Sequence, residues 1–381
     1  MSDPTFDMIS ATTLADLRDD VVYDNFFVDT AWLRKLRVSG ALEEFLGGSI
    51  MQTPFQYNRV NGGAIAPGSD VAVEQVQIIA ATAFVPKEYV EQVPLNLFQT
   101  NVIQGGGPAV KVKLVDTYMT NAVQALNTDI AIDFYRHGQN ITGSNRTIYI
   151  NGISEALNDG INNSWDGNVF TTYGGQTRNG AVGNTMNSVP LWGGDQAGNP
   201  GQISYKFLVE AYLNCVQRPD IGLTNKAFYA YLLERQEPKQ RFGLEQDISI
   251  GMSGLKLLDA FIFEDKLCPS TKFGTLLPSN LSQTTAIKPT VFTTATLTTA
   301  QQAISNLPSN TLLSSVGEVF FWLRAKGWKL RPSADPEYDF NFTPPIRSQT
   351  NADLIVMFLK AALNAYTTSP RDNEQIYGIG F

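Results

Sequence analysis

The stretch GGGPAVKVKLVDTYMTNAVQALNTDIAIDFYRHG, Gly105 to Gly138, reads as one long helix over residues 108 to 137 with a stop at each end. Gly105, Gly106 and Gly107 break whatever precedes it. Pro108 takes a first-turn position, where its missing N–H would have no partner in any case. Gly138 suits a left-handed cap, with Arg136 and His137 in the last turn against the negative end of the helix dipole. Val115, Met119, Ala122, Leu126, Ile130 and Phe134 recur at steps of three or four and so share one face. At ~1.5 Å per residue such a rod runs roughly 45 Å. Its apolar face needs a surface to pack on.

Outward toward the start, a hairpin signal comes first. Residues 50 to 60 read as a strand, Asn61, Gly62 and Gly63 as a turn, and residues 71 to 84 as the return. The alternation shifts phase near Glu74, which predicts a bulge. A two-stranded hairpin of this length is marginal alone in water and must lie on something. Before Gly47 and Gly48 lies an arm, residues 1 to 47, with Asp3, Asp7, Asp16, Asp19, Asp20, Asp24 and Asp29 ahead of the basic Arg34, Lys35 and Arg37. The arm reads either as a solvated, partly extended segment or, since Phe26, Phe27 and Trp32 are costly to leave in water, as one that docks on a neighbouring subunit.

Outward toward the end, Thr147–Ile150 reads as a short strand and Ile153–Asp159 as a short helix. Residues 160 to 202, rich in Gly, Asn and Thr, form a region too long for an ordinary connection. Helices follow over 203–217 and 226–235, strands over 221–224 and 254–264, a strand pair over 316–330, a long strand from Leu354 and a last strand ending at Ile379. Residues 270 to 315 show no strong period.

The composition bounds the function classes. The chain has 381 residues, 43% of them hydrophobic and 17% charged, as in a folded protein. A net charge of −8 argues against affinity built from many phosphate contacts. The two cysteines, Cys215 and Cys268, read as buried small hydrophobes, and one histidine leaves little room for imidazole chemistry. Neither GK[ST] nor GxGxxG follows the three glycines, and GxSxG and HExxH are absent. The N-terminal residues lack the pattern of a signal peptide, and the apolar run 352–365 is too short to span a membrane. No catalytic, cofactor or metal site is expected.

The order of parts resembles the major capsid proteins of tailed bacteriophages, whose fold is named after phage HK97. SEALNDG (154–160) with YGGQTR (173–178) is similar to the family's glycine-rich entry to its axial domain. RPDIGLTNKAFY (218–229) with QRF (240–242) is similar to its strand-then-helix, and GLKLLDAFIFEDKLCP (254–269) to a strand followed by an acidic and Cys-Pro passage. Leu354 to Ile379 resembles its closing strand, turn and terminal Gly-Ile; here that turn is Ser369-Pro370-Arg371. The resemblance implies an α+β fold with four parts. These are an N-terminal arm (1–47), an E-loop hairpin (48–84), a peripheral domain (85–153 and 346–381) with spine helix 108–137, and an axial domain (154–345). It implies a non-enzymatic shell protein forming pentamers and hexamers around double-stranded DNA in a virion, assembled in the host cytoplasm. Separate scaffolding, portal and decoration proteins are the implied partners. An encapsulin-like compartment shell and a tail-tube subunit are the alternatives. The expected assembly residues are Phe26, Phe27, Trp32, Asn61, Gly62, Gly63 and Glu74.

Overall fold

The computed structural model describes residues 30–61, 75–96, 108–140, 147–193, 201–236, 245–247, 252–269, 317–347 and 353–380, with Ala64 and Ala66. In chain order the elements are α1 (Ala31–Val38), β1 (Met51–Gln56), β2 (Ile79–Phe84), β3 (Lys87–Asn96) and the long helix α2 (Pro108–Tyr135). A short α3 (Ile153–Ala156), β4 (Thr172–Tyr173), β5 (Gln176–Thr177) and β6 (Leu191–Trp192) follow. Next come α4 (Tyr205–Asn214), β7 (Ile221–Thr224), α5 (Lys226–Gln236), β8 (Glu245–Asp247), β9 (Met252–Leu257) and β10 (Ala260–Glu264). The last are β11 (Glu318–Leu323), β12 (Trp328–Pro332), β13 (Asn341–Phe342), β14 (Ile346–Arg347), β15 (Leu354–Thr367) and β16 (Glu374–Ile379).

One sheet is built around β15. On one side β15 runs antiparallel to β3 from Leu354 opposite Asn96 to Leu363 opposite Lys87. On the other it pairs in turn with β12, β13 and β14. Alternation then puts Tyr89, Val93 and Leu95 of β3 on the same face as Met357, Leu359, Ala361 and Leu363 of β15, all buried. That face receives α2, whose Val115, Met119, Ala122, Leu126, Ile130 and Phe134 are buried as their spacing predicts. Each such side chain removed from water stabilises by roughly 1.5–3 kcal/mol. Farther along, α2 is enclosed on other sides too, with Asn127, Ile132, Asp133 and Tyr135 buried. Trp32 of α1 packs on Phe134 at 5.6 Å, and the Trp165 indole N–H donates to the Tyr135 carbonyl at 3.2 Å.

The helix ends two residues sooner than its spacing predicts, at Tyr135, so Arg136 and His137 lie just past its last turn rather than in it. Gly138 is not among the glycines with positive φ. Its need is closeness: a Cβ there would lie 2.3 Å from the Tyr149 carbonyl oxygen and 2.6 Å from that of Ile150.

The second sheet has seven strands in the order β6-β16-β11-β7-β10-β9-β8 and mixes parallel and antiparallel pairs. β11, β7 and β16 are buried throughout, with α4 and α5 laid on the sheet through Leu208, Tyr212, Phe228 and Leu232. Sheet membership cuts across the expected division at residue 345. Trp328–Phe342 pairs with β15, while β16 pairs with β11 in the other sheet. The expected strand pair over 316–330 is therefore two strands of different sheets. The 3-10 turn Ala325–Gly327 separates them, sending Phe320 and Trp322 into one core and Trp328 against Trp32 and Phe134 in the other. Residues 254–264 are not one strand, because Leu258 with φ 55° turns the chain between β9 and β10. Thr147–Ile150 forms no strand. Both cysteines are buried and free, as their isolation in sequence implied.

Candidate assembly surfaces

The hairpin β1–β2 is a two-stranded sheet of its own, with Met51 opposite Phe84 and Gln56 opposite Ile79. Only its root is enclosed. Met51, Thr82 and Phe84 are buried, Thr53, Phe55 and Tyr57 half-buried, and Asn58 to Asn61 exposed. Val60 is 69% exposed and Ile79 55%. Met51, Thr53, Phe55, Thr82 and Phe84 share one face, which the body of the chain covers fully at the root and in part beyond it, while Ile79, opposite Gln56, lies on the other, exposed face.

Among the described residues, five contacts hold the root. Phe84 stacks on Tyr366 of β15 at 4.3 Å and meets Tyr173 edge-on at 5.2 Å. Thr53 Oγ1 and Tyr366 OH share a hydrogen bond of 2.8 Å. The tight turn joining β4 to β5 supplies the rest: Ala83 N–H donates to the Gly174 carbonyl, and Gln176 Nε2 donates to the Ala81 carbonyl, each at 2.9 Å. Gly174 and Gly175 both have positive φ, as a two-residue hairpin turn requires. A Cβ on Gly174 would lie 2.7 Å from Thr82 Cβ, so this position is closed to side chains twice over. A groove of about 770 Å³ runs beside the hairpin, between Phe55, Tyr57 and Arg59 on one wall and Val216, Ser369 and Arg371 on the other.

The stretch that seats the root is tied to the body by buried polar groups. Arg178 is fully buried; its guanidinium donates to the carbonyls of Met186 (2.9 Å), Glu155 (2.5 Å) and Ala156 (3.2 Å) and lies over the Tyr173 ring. Burial pulls its pKa down to about 10. Glu155, also fully buried, accepts from Gly138 N–H at 2.8 Å and from Asn151 Nδ2 at 2.5 Å; burial outweighs these bonds and raises its carboxyl to about 7. Across the helix–sheet contact, burial and the neighbouring Asp129 raise Glu91 to about 7, and burial with Asp133 raises Asp129 to about 6. These are structural networks. Among the described residues no group of His, Cys, Asp and Glu is arranged to hold a metal ion, and no helix is long and apolar enough to cross a membrane.

Of the assembly residues expected from sequence, two are described. Asn61 is exposed near the hairpin's far end. Trp32 is 1% exposed within its own chain, because α1 aligns it with Ala31, Leu33 and Leu36 on the face that meets Phe134 and Trp328; it is a core residue rather than a docking group. Phe26, Phe27, Gly62, Gly63 and Glu74, with the bulge expected there, lie outside the described residues. Arg178, His137 and Tyr366 were not singled out as site residues in advance. The glycine pair in YGGQTR was the local sign of the first.

No family model matches the chain, and no curated protein does. Solved structures do. The capsid protein of cyanophage A-1(L) superposes with a TM-score of 0.53 over 88% of this chain and 90% of that one, at 10% identity. The capsid of the native GTA particle gives a TM-score of 0.52 over 91% and 90%, at 7% identity. The chain therefore has the HK97-type capsid fold, an α+β architecture.

Proposed function

We propose that this chain is a shell-forming capsid subunit, structural rather than catalytic. It builds pentamers and hexamers of an icosahedral shell around the double-stranded DNA of a tailed phage. The observation that carries the reading is a capsid fold over 88–91% of the chain, with a hairpin whose apolar face its own chain covers fully only at the root. Such a face is buried when copies meet, and closed rings of one chain need contacts of this heterologous kind. In this reading β1–β2 is the E-loop, α2 the spine of the peripheral part, and the seven-stranded sheet the axial part meeting its copies at the capsomer centre. An acidic chain suits a wall that confines DNA without gripping it. Scaffolding, portal and decoration proteins are separate partners, and the shell forms in the host cytoplasm before becoming the virion capsid.

Negative-stain microscopy of the expressed chain tests this. Closed icosahedral shells support it; tubes or a stable monomer count against it. Particles filled with an enzyme rather than DNA would move the assignment to a compartment shell. Deleting residues 56–70 should leave soluble capsomers or monomers, and normal shells from that variant would remove the hairpin from the assembly argument.

A further inference from the structure

The chain's single histidine sits where its charge state has consequences. His137 lies just past the end of α2 and is 4% exposed, with the Phe170 ring 5.2 Å away. Its Nδ1 is 3.2 Å from the Gln139 carbonyl oxygen, and its Nε2 is 3.4 Å from Asn168 Nδ2. A neutral ring satisfies both contacts: Nδ1–H donates to the carbonyl and Nε2 accepts from the amide. Beside them is an unmet demand. Asp166 Oδ2, on a side chain 11% exposed, is buried without a hydrogen-bond partner and lies 3.9 Å from His137 Nε2.

We propose that His137 and Asp166 form a proton-operated latch between the end of the long helix and the segment that seats the hairpin. A proton taken from solvent onto Nε2 supplies the donor that Asp166 Oδ2 lacks, and the Asn168 amide turns to present its oxygen. Burial opposes a charged ring. Here, however, Asp166 Oδ1 already accepts from Asn168 N–H at 3.2 Å while Oδ2 lies 3.9 Å from Nε2, and a proton on the ring turns that contact into an ion pair. The charged groups on the neighbouring segments are engaged elsewhere, Arg136 with Asp129 of α2 among them. Glu155 of α3 accepts from Gly138 N–H and Asn151, Asp133 of α2 accepts from Tyr89 OH at 3.0 Å, and the Arg136 carbonyl accepts from Ser154 N–H. Asp166 is the carboxylate with an oxygen open to the imidazole.

The latch reaches the hairpin in three steps. The carbonyl that His137 holds belongs to Gln139. The Gln139 side chain donates to the Thr172 carbonyl at 2.6 Å. Thr172 leads into Tyr173 and Gly174, where Ala83 of the hairpin is bonded. The Gln139 contact is made in both states; the proton adds the tie to Asp166, which fixes the ring that holds Gln139 and so steadies the root, and a neutral ring leaves that tie unmade.

With one histidine, ¹³C-labelled full-length protein gives a single imidazole signal. Its titration midpoint should lie about one unit above the ordinary ~6.5, a roughly tenfold gain in proton affinity, and Asp166→Asn should return it to ~6.5 or below. A wild-type midpoint at or below ~6.5, or one that Asp166→Asn leaves in place, overturns the proposal. If Asp166→Asn does not fold, the wild-type midpoint decides together with hydrogen exchange. Exchange in residues 79–85, corrected for its intrinsic pH dependence, should slow about threefold from about pH 7.5 to about pH 5.5 in the wild type and not in His137→Gln. Equal behaviour of the two proteins overturns the coupling to the hairpin.

Discussion

The long helix α2 and the hairpin β1–β2 solve the same problem in opposite ways. Both carry an apolar face. The helix buries its face against β3 and β15 of its own chain, so Leu126 and Met119 are fully enclosed. The hairpin buries Met51 and Phe84 at the root and leaves Phe55 and Tyr57 half in water. What the chain covers by itself decides whether it folds. What it leaves uncovered is where another chain has something to gain.

The strongest way to break this contrast is at the helix. Leu126→Asp puts an unpartnered charge into the shared core and should cost upward of about 4 kcal/mol, enough to abolish soluble expression and the cooperative thermal transition. A folded Leu126→Asp protein would mean that α2 is not the foundation described here. A change at the hairpin root should act differently. Gly174→Val forces a branched side chain into positive φ and against Thr82, a cost of roughly 2–4 kcal/mol. Proteolysis between residues 51 and 84 should accelerate while the circular dichroism of the body stays native. Loss of both together would show that root and body melt as one unit.

The junction between the two regions should respond to pH. Glu155 and Glu91 have folded pKa values of about 7 and Asp129 of about 6, all above the ordinary carboxyl range. The folded state therefore holds protons that the unfolded chain has released. Their stabilisation is complete below about pH 4 and is lost as pH rises through about 7. Urea unfolding should show a lower midpoint at about pH 8 than at about pH 5, and Glu155→Gln should remove roughly 2–3 kcal/mol of that difference. An unchanged slope would clear Glu155 of the effect. The smallest expected change is Tyr366→Phe, which deletes the bond to Thr53 but keeps the stack on Phe84. About 1 kcal/mol is at stake, read as faster hydrogen exchange confined to β1 and β2.

Period and punctuation made much of this legible in advance. The face from Val115 to Phe134 and the strand Ile221–Thr224 follow from local spacing. Where the reading failed, the deciding contact was distant in sequence. Gly138 looked like a cap, but the backbone of Tyr149 and Ile150 is what excludes a side chain. Residues 316–330 read as a strand pair, since nothing nearby reveals that Phe320 and Trp328 serve different cores. Trp32 reads as a docking residue because its partners, Phe134 and Trp328, lie 102 and 296 positions further along the chain. The root could not be foreseen either: Phe84 meets Tyr366 only because β15 returns past the hairpin.

The placement of β16 has a consequence for synthesis. It lies inside the seven-stranded sheet, between β6 and β11, although it is made after both. A ribosome delivers every neighbour of this strand first, leaving a slot that stays open until residues 374–379 emerge. Contacts of such long sequence separation form slowly. The body is thus finished late and nearly all at once, and a nascent chain displays its hairpin before it has a completed platform to hold it.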